Sequence, residues 1–157
     1  MTTVSDEDPT VRSVSLALQR LTLGWDRHRE AVADELGVGT TEIVALGFLY
    51  LDGPHTPTDI GNLQNLTSGS VTALLDRLEA AAFVARSHNP DDRRSVLATV
   101  TPAGRHAMQW YYERLDKIVG DALERVPDIA IGDVITLANL GGELLSEHAR
   151  EAKQSRP

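Results

Sequence analysis

Short hydroxyl side chains crowd one point of this chain. Thr67, Ser68, Ser70 and Thr72 stand within six residues, with Gly69 among them and Ala73 and Arg77 close behind. Small hydroxyl residues beside a glycine let a backbone come close to a ligand while adding donors and acceptors. In the first turn of a helix they can bond phosphates or base edges, helped by the amides that the turn leaves unpaired. A second group, Asp91-Asp92-Arg93-Arg94, follows Asn89-Pro90. Arginine at a turn tip suits a narrow minor groove, and a neighbouring Asp91 or Asp92 can orient a guanidinium by a bidentate pair. Each group has a plainer reading, a capped helix with a polar face and a solvated turn with a weak surface ion pair. Trp25, Trp110 and Tyr111 could line a ligand crevice, although aromatic residues at helical spacing more often pack a core or an interface.

Other chemistry is poorly supplied. There is no cysteine, which removes disulfides, thiolate metal sites and thiol catalysis. His28, His55, His88, His106 and His148 show no i, i+3 or i, i+4 pairing with one another, so no metal site is expected. Neither a glycine-rich phosphate loop nor a nucleophile with a base is evident. The expectation is a chain that is not an enzyme and needs no cofactor.

The 157 residues carry a formal charge of −8, which at first argues against a nucleic-acid partner. The charge is uneven. Between Leu66 and His106 five arginines face four acids, so that segment is slightly basic and the rest is strongly acidic. No apolar run approaches the ~18 residues of a membrane span, and the polar, acidic start lacks the pattern of a leader; a soluble cytoplasmic protein with no membrane partner is expected.

The elements that must position these residues follow from spacing. Val14, Leu18, Leu21 and Trp25 form one stripe of a helix over about 9–36, ended by Gly37 and Gly39. Thr40 or Thr41 is expected to cap a more apolar helix that closes at Gly53-Pro54. Thr56-Pro57-Thr58-Asp59 pairs a capping hydroxyl with proline at the first helical position and a carboxylate three residues on, which starts a short helix running to about Leu63. Thr67 repeats the capping signal, and Val71, Leu74, Leu75 and Leu78 place one face of the next helix in a core. Phe83–His88 and Ser95–Val100 read as a hairpin whose tip bears the arginines. Thr101-Pro102 opens another helix with Met108, Tyr111, Leu115, Ile118 and Ala122 in a heptad-like stripe that wants a partner helix. A last helix from about Ile131 to Ala149 is expected to kink or to meet another helix closely at Gly141-Gly142. The fold class is mainly α with a small β-hairpin wing, a winged helix-turn-helix. The organisation is one domain over 1–157, with a DNA-binding lobe over 40–103 and long dimerisation helices over 9–36 and 102–150. Three long amphipathic helices exceed what one small lobe can cover, so a homodimer is expected.

Asp59-Ile60-Gly61, the run Thr67-Ser68-Gly69-Ser70-Val71-Thr72-Ala73-Leu74-Leu75-Asp76-Arg77-Leu78-Glu79, then Phe83-Val84-Ala85-Arg86 and Asp91-Asp92-Arg93-Arg94 ahead of Val100-Thr101-Pro102-Ala103-Gly104 resemble the MarR family of bacterial transcriptional regulators. The resemblance is strong over about Thr41 to Gly104 and architectural elsewhere. It implies a homodimer on a palindromic operator in double-stranded DNA, repression, and release by a small aromatic or phenolic effector in a crevice between the dimer helices and the DNA-binding lobe. Carried over by position, Ser68, Ser70 and Thr72 fall at recognition-helix contacts and Asp92 and Arg94 at the wing pair, with Arg77 supporting the helix or touching the backbone. Ala82 departs from the family's glycine between recognition helix and wing, at a cost of about 1 kcal/mol if a left-handed backbone is kept there. The alternative is a winged-helix module that binds a protein, motivated by the acidity; Arg93-Arg94 and the hydroxyl row speak for DNA.

Overall fold

The computed structural model describes residues 10–90, 92 and 95–154. Six helices and one hairpin follow in the order α1 (Val11–Leu36), α2 (Thr40–Asp52), α3 (Pro57–Gln64), α4 (Ser68–Ala80), β1 (Val84–His88), β2 (Val96–Val100), α5 (Pro102–Glu124) and α6 (Ile131–Gln154). They fall into two compact units that divide between Glu113 and Arg114, within α5.

The first unit is built around α2, the most apolar helix, which buries Ile43, Ala45, Leu46 and Leu49. Ile60 of α3, Val71, Leu74, Leu75 and Leu78 of α4, Val84 of β1, Ala98 of β2 and Met108 of α5 complete the core. Each such leucine or isoleucine contributes about 1.5–3 kcal/mol by leaving water. The strands are antiparallel, with Val84 opposite Val100 and His88 opposite Val96. His55, between α2 and α3, adds a bridge to Ala98 that ties the hairpin's base to the helices.

Helix starts follow the side chains. Thr56 caps α3 in a reciprocal box with Asp59, and Pro57 takes the first helical position, where its missing N–H costs nothing. Thr67 caps α4 through the amide of Ser70. The cap of α2 differs from expectation: it is Gly39, with no side-chain bond, and Thr40 is already helical. The buried carboxylate of Glu42 curls back over Gly39 and occupies the space a Cβ there would take. A carboxylate at that end also suits the positive pole of the helix.

One further expectation is revised. Met108 and Tyr111 are spent on the core of the first unit, so the stripe on α5 is not wholly kept for a partner helix; Ile118 remains 52% exposed. In the second unit α6 is helical over Ile131–Gln154, Gly141 and Gly142 included, and a Cβ at either would meet nothing of this chain's described residues within 4 Å. Val14, Leu18 and Leu21 of α1 are exposed, as are Ile135, Leu140 and Leu144 of α6.

Candidate nucleic-acid interface

Burial of Val71, Leu74, Leu75 and Leu78 turns the opposite side of α4 outward. Thr67, Ser68, Gly69, Ser70, Thr72, Ala73 and Arg77 are all exposed there. The hydroxyls of Thr67 and Ser70 lie 2.9 Å apart, and that of Thr72 donates to the carbonyl of Ser68 at 3.0 Å. Both arrangements hold the side chains against the helix, so the backbone of the first turn stays approachable. A shallow groove of about 220 Å³ runs between α3 and α4, bordered by Thr58, Asn62, Ser68 and Thr72.

Arg77 points the other way along the helix, to α2. Its Nε donates to Oε1 of Glu42 at 2.7 Å, joining a carboxylate side chain that is only 3% exposed to a guanidinium that is 59% exposed. This pair braces α4 on α2.

The chain leaves α4 through a left-handed turn. Ala82 has φ +59°, its amide donates to the carbonyl of Glu79 at 2.9 Å, and the amide of Phe83 donates to Leu78 at 2.9 Å. That pair of bonds is a Schellman motif with alanine in the place that usually takes glycine. Thr101 closes the turn: its hydroxyl donates to the carbonyl of Ala82 at 2.6 Å and accepts from the amide of Gly104 at 3.1 Å. Gly104 is obligatory for this fit, because a Cβ would collide with the carbonyl oxygen of Phe83.

Arg86 follows on β1, on the strand face it shares with the buried Val84. Its Nη1 reaches Asp76 at 2.7 Å and Glu79 at 2.5 Å, its Nη2 donates to the carbonyl of Thr72 at 3.1 Å, and its amide donates to Glu79 at 3.0 Å. At the hairpin's end the carbonyl of Asp92 accepts from the amide and hydroxyl of Ser95, at 2.9 and 3.1 Å. Asp91, Arg93 and Arg94 lie outside the described residues.

Of the three aromatic candidates for an effector, Trp25 and Tyr111 line a cleft of about 280 Å³ on the first unit, together with Arg29, Phe48, Met108 and Tyr112. Trp110, one residue from Tyr111, is not part of its wall. Tyr111 packs edge-on against Tyr112 with centroids 5.1 Å apart and tilts over His28 at 5.6 Å. Burial raises the Tyr112 hydroxyl above the usual tyrosine range, with the neighbouring Tyr111 and Tyr50 adding to it, so it stays protonated and able to donate. At the start of α3, hydrogen bonds from the hydroxyl and amide of Thr56 lower the Asp59 carboxyl.

The hydroxyl-bearing helix and the hairpin together occupy the stretch that matches a known family: residues 40–96 fit the model of the MarR family. In that stretch the chain is similar to the MarR family. Relatives include the uncharacterized HTH-type transcriptional regulator YcgE of Bacillus subtilis, 29% identical over 125 residues that cover 80% of this chain and 81% of that protein. YkoM, a second uncharacterized HTH-type transcriptional regulator of the same organism, is 40% identical over 91 residues, covering 58% of this chain and 54% of its own length. The chain thus spans about half of YkoM. Among solved structures, NadR in complex with 4-hydroxyphenylacetate shares the fold at a TM-score of 0.68 and 20% identity, over 92% of this chain and 97% of that one. The fold is thus a winged helix-turn-helix, mainly α with a two-stranded antiparallel hairpin. No helix among its described residues is long and apolar enough to cross a membrane.

Four residues of the first unit had no role at the level of sequence: Glu42, Arg86, Arg29 and Phe48. A signal for Arg86 was nonetheless present, since Asp76 and Glu79 stand three apart on α4, one helical step that a cation on the following strand can span.

Proposed function

We propose that this chain is a sequence-specific regulator that binds a palindromic operator in duplex DNA as a homodimer, represses transcription there, and is released by a small aromatic effector. The observation that carries the reading is the outward face of α4, where Thr67, Ser68, Gly69, Ser70, Thr72 and Ala73 stand exposed beside a hairpin while Val71, Leu74, Leu75 and Leu78 on the opposite face are buried. A helix so presented can seat its first turn in a major groove and read base edges with Ser68, Ser70 and Thr72. Asp92, Arg93 and Arg94 are the residues we assign to the adjoining minor groove, where guanidinium groups gain most from the negative potential.

The dimer is supported by the exposed apolar residues of α1, Leu18 and Leu21 among them, and of α6, Leu140 and Leu144 among them. Two-fold symmetry then demands a two-fold operator. Effector release is supported by the cleft beside Trp25 and Tyr111, which has an aromatic wall and both a cation, Arg29, and a carboxylate, Asp52, able to orient a small polar aromatic molecule. Such a ligand acts only if it prefers the dimer geometry that misfits the operator.

The test starts from a duplex enriched by the purified protein from a random library. Binding should exceed that to a scrambled duplex and weaken steeply with salt, and Arg94→Ala should lower affinity by about 1–3 kcal/mol without changing the dimer measured by sedimentation. A selection that enriches nothing removes the DNA reading in favour of a protein-binding module. Quenching of tryptophan fluorescence by 4-hydroxyphenylacetate, with loss of the DNA complex, tests the effector step.

A further inference from the structure

Arg86 does more than any one element requires. It sits on the hairpin, yet its guanidinium and its amide all bond to α4: two carboxylates, Asp76 and Glu79, and the main-chain carbonyl of Thr72. Thr72 is a residue assigned to base reading, and its carbonyl belongs to the helix ladder, so Arg86 holds the backbone of the reading turn itself. Asp76 lies one turn further along the same outward face, with its side chain 60% exposed. An uncovered carboxylate there would meet the negative phosphates of any duplex seated on α4.

We propose that Arg86 is a positioning residue for DNA reading, which locks the wing to the recognition helix as one rigid head and masks the Asp76 and Glu79 charges from the phosphates. The inference rests on the DNA-binding reading of α4. Two tasks are combined in one side chain because a planar fork sets two nitrogens at a fixed spread, one on the carboxylates and one on the main-chain carbonyl; a lysine ammonium carries the same charge on a single nitrogen without that geometry. The side chain is 26% exposed, and its Nη1 and Nη2 are already engaged by acceptors of α4.

The two tasks separate by substitution. Affinity for the enriched duplex and for its scrambled counterpart is measured by fluorescence anisotropy over a series of salt concentrations. The proteins are wild type, R86K, R86Q and the triple variant R86Q/D76N/E79Q, which leaves no stranded carboxylate; circular dichroism and sedimentation check fold and dimer. R86K should bind the enriched duplex about tenfold more weakly and leave scrambled binding nearly unchanged, because the charge stays and the register is lost. R86Q should weaken both. The triple variant should recover scrambled binding without recovering the preference. In every variant the slope of log Kd against log salt should equal that of wild type, whereas loss of one phosphate contact lowers it by about 0.9. Hydrogen exchange at the amides of β1 and β2 should quicken in R86K and R86Q.

An R86K protein that discriminates as well as wild type overturns the positioning role. A slope reduced by about one in R86Q makes Arg86 a direct phosphate contact and overturns the masking role. A wild-type protein with no preference for any duplex instead removes the DNA reading before a variant is made, so the two failures are told apart.

Discussion

Replacing Ala82 by glycine should make this protein more stable. An L-residue held at φ +59° pushes its Cβ toward the following carbonyl, at a cost of about 1–2 kcal/mol that glycine does not incur. Ala82 is exposed, so no packing is lost with the methyl group. Against the gain stands the greater freedom of glycine in the unfolded chain, about 0.4–1 kcal/mol. The balance is a net gain of about 0.5–1 kcal/mol. Equilibrium urea unfolding at fixed protein concentration should show a higher midpoint with an unchanged slope, and the melting temperature should rise by about 2–4 °C per kcal/mol. Ala81 supplies the internal control. One residue earlier, at φ −77°, the backbone is right-handed and alanine is at ease, so Ala81→Gly should lose stability. Should Ala82→Gly lose stability as Ala81→Gly does, position 82 is not left-handed in solution and the Schellman turn that launches the wing is wrong.

Other outcomes follow from the ion pairs and caps. Arg77→Ala should destabilise more than Glu42→Gln, by urea unfolding. The first strands a buried carboxylate, at about 3 kcal/mol, while the second leaves a guanidinium that is already half in water, at about 1–2 kcal/mol. For Asp59 the sign is that of a carboxyl whose folded pKa lies below its unfolded one. Its stabilising effect is full above the ordinary value of 3.8 and is lost as pH falls through the lower folded value. The stability difference between wild type and Asp59→Asn should accordingly stay constant from neutral pH to about 5 and shrink only in stronger acid, in unfolding curves taken as a function of pH.

Local signals were the legible ones. Thr56-Pro57-Thr58-Asp59 contains its whole helix start within four residues, and the stripe from Val71 to Leu78 contains its own buried face. Ala82 was legible as an anomaly because the family pattern asks for glycine there. What escaped depends on partners far away in the chain. Glu42 and Arg77 are 35 residues apart, and only the packing of α2 on α4 shows that one is the other's counter-ion. The cap of α2 was misplaced for a related reason: two threonines advertised themselves as caps, while Gly39 was chosen by a carboxylate that folds back over it. Periodicity on α5 marked Met108 and Tyr111 as apolar-facing without saying that their own lobe would claim them. The candidate site was legible in α4, because exposure follows from which face is buried, and less so in the wing, where Arg86 acts through β-strand register.

The hydroxyl of Thr101 has a consequence for how this chain can drift over evolutionary time. It is donor to Ala82 and acceptor for Gly104 at once, and its own amide bonds the carbonyl of Phe83 at 3.0 Å. One small group therefore fastens the turn that ends α4, the root of the wing and the first turn of α5 at a single knot. Serine could tie the same knot; valine, although its shape is nearly identical, would untie two strands of it, and no compensating change at one neighbour restores both. Position 101 is thus a place where sequence can wander only between two residues, and where α5 cannot turn on its axis without dragging the wing along.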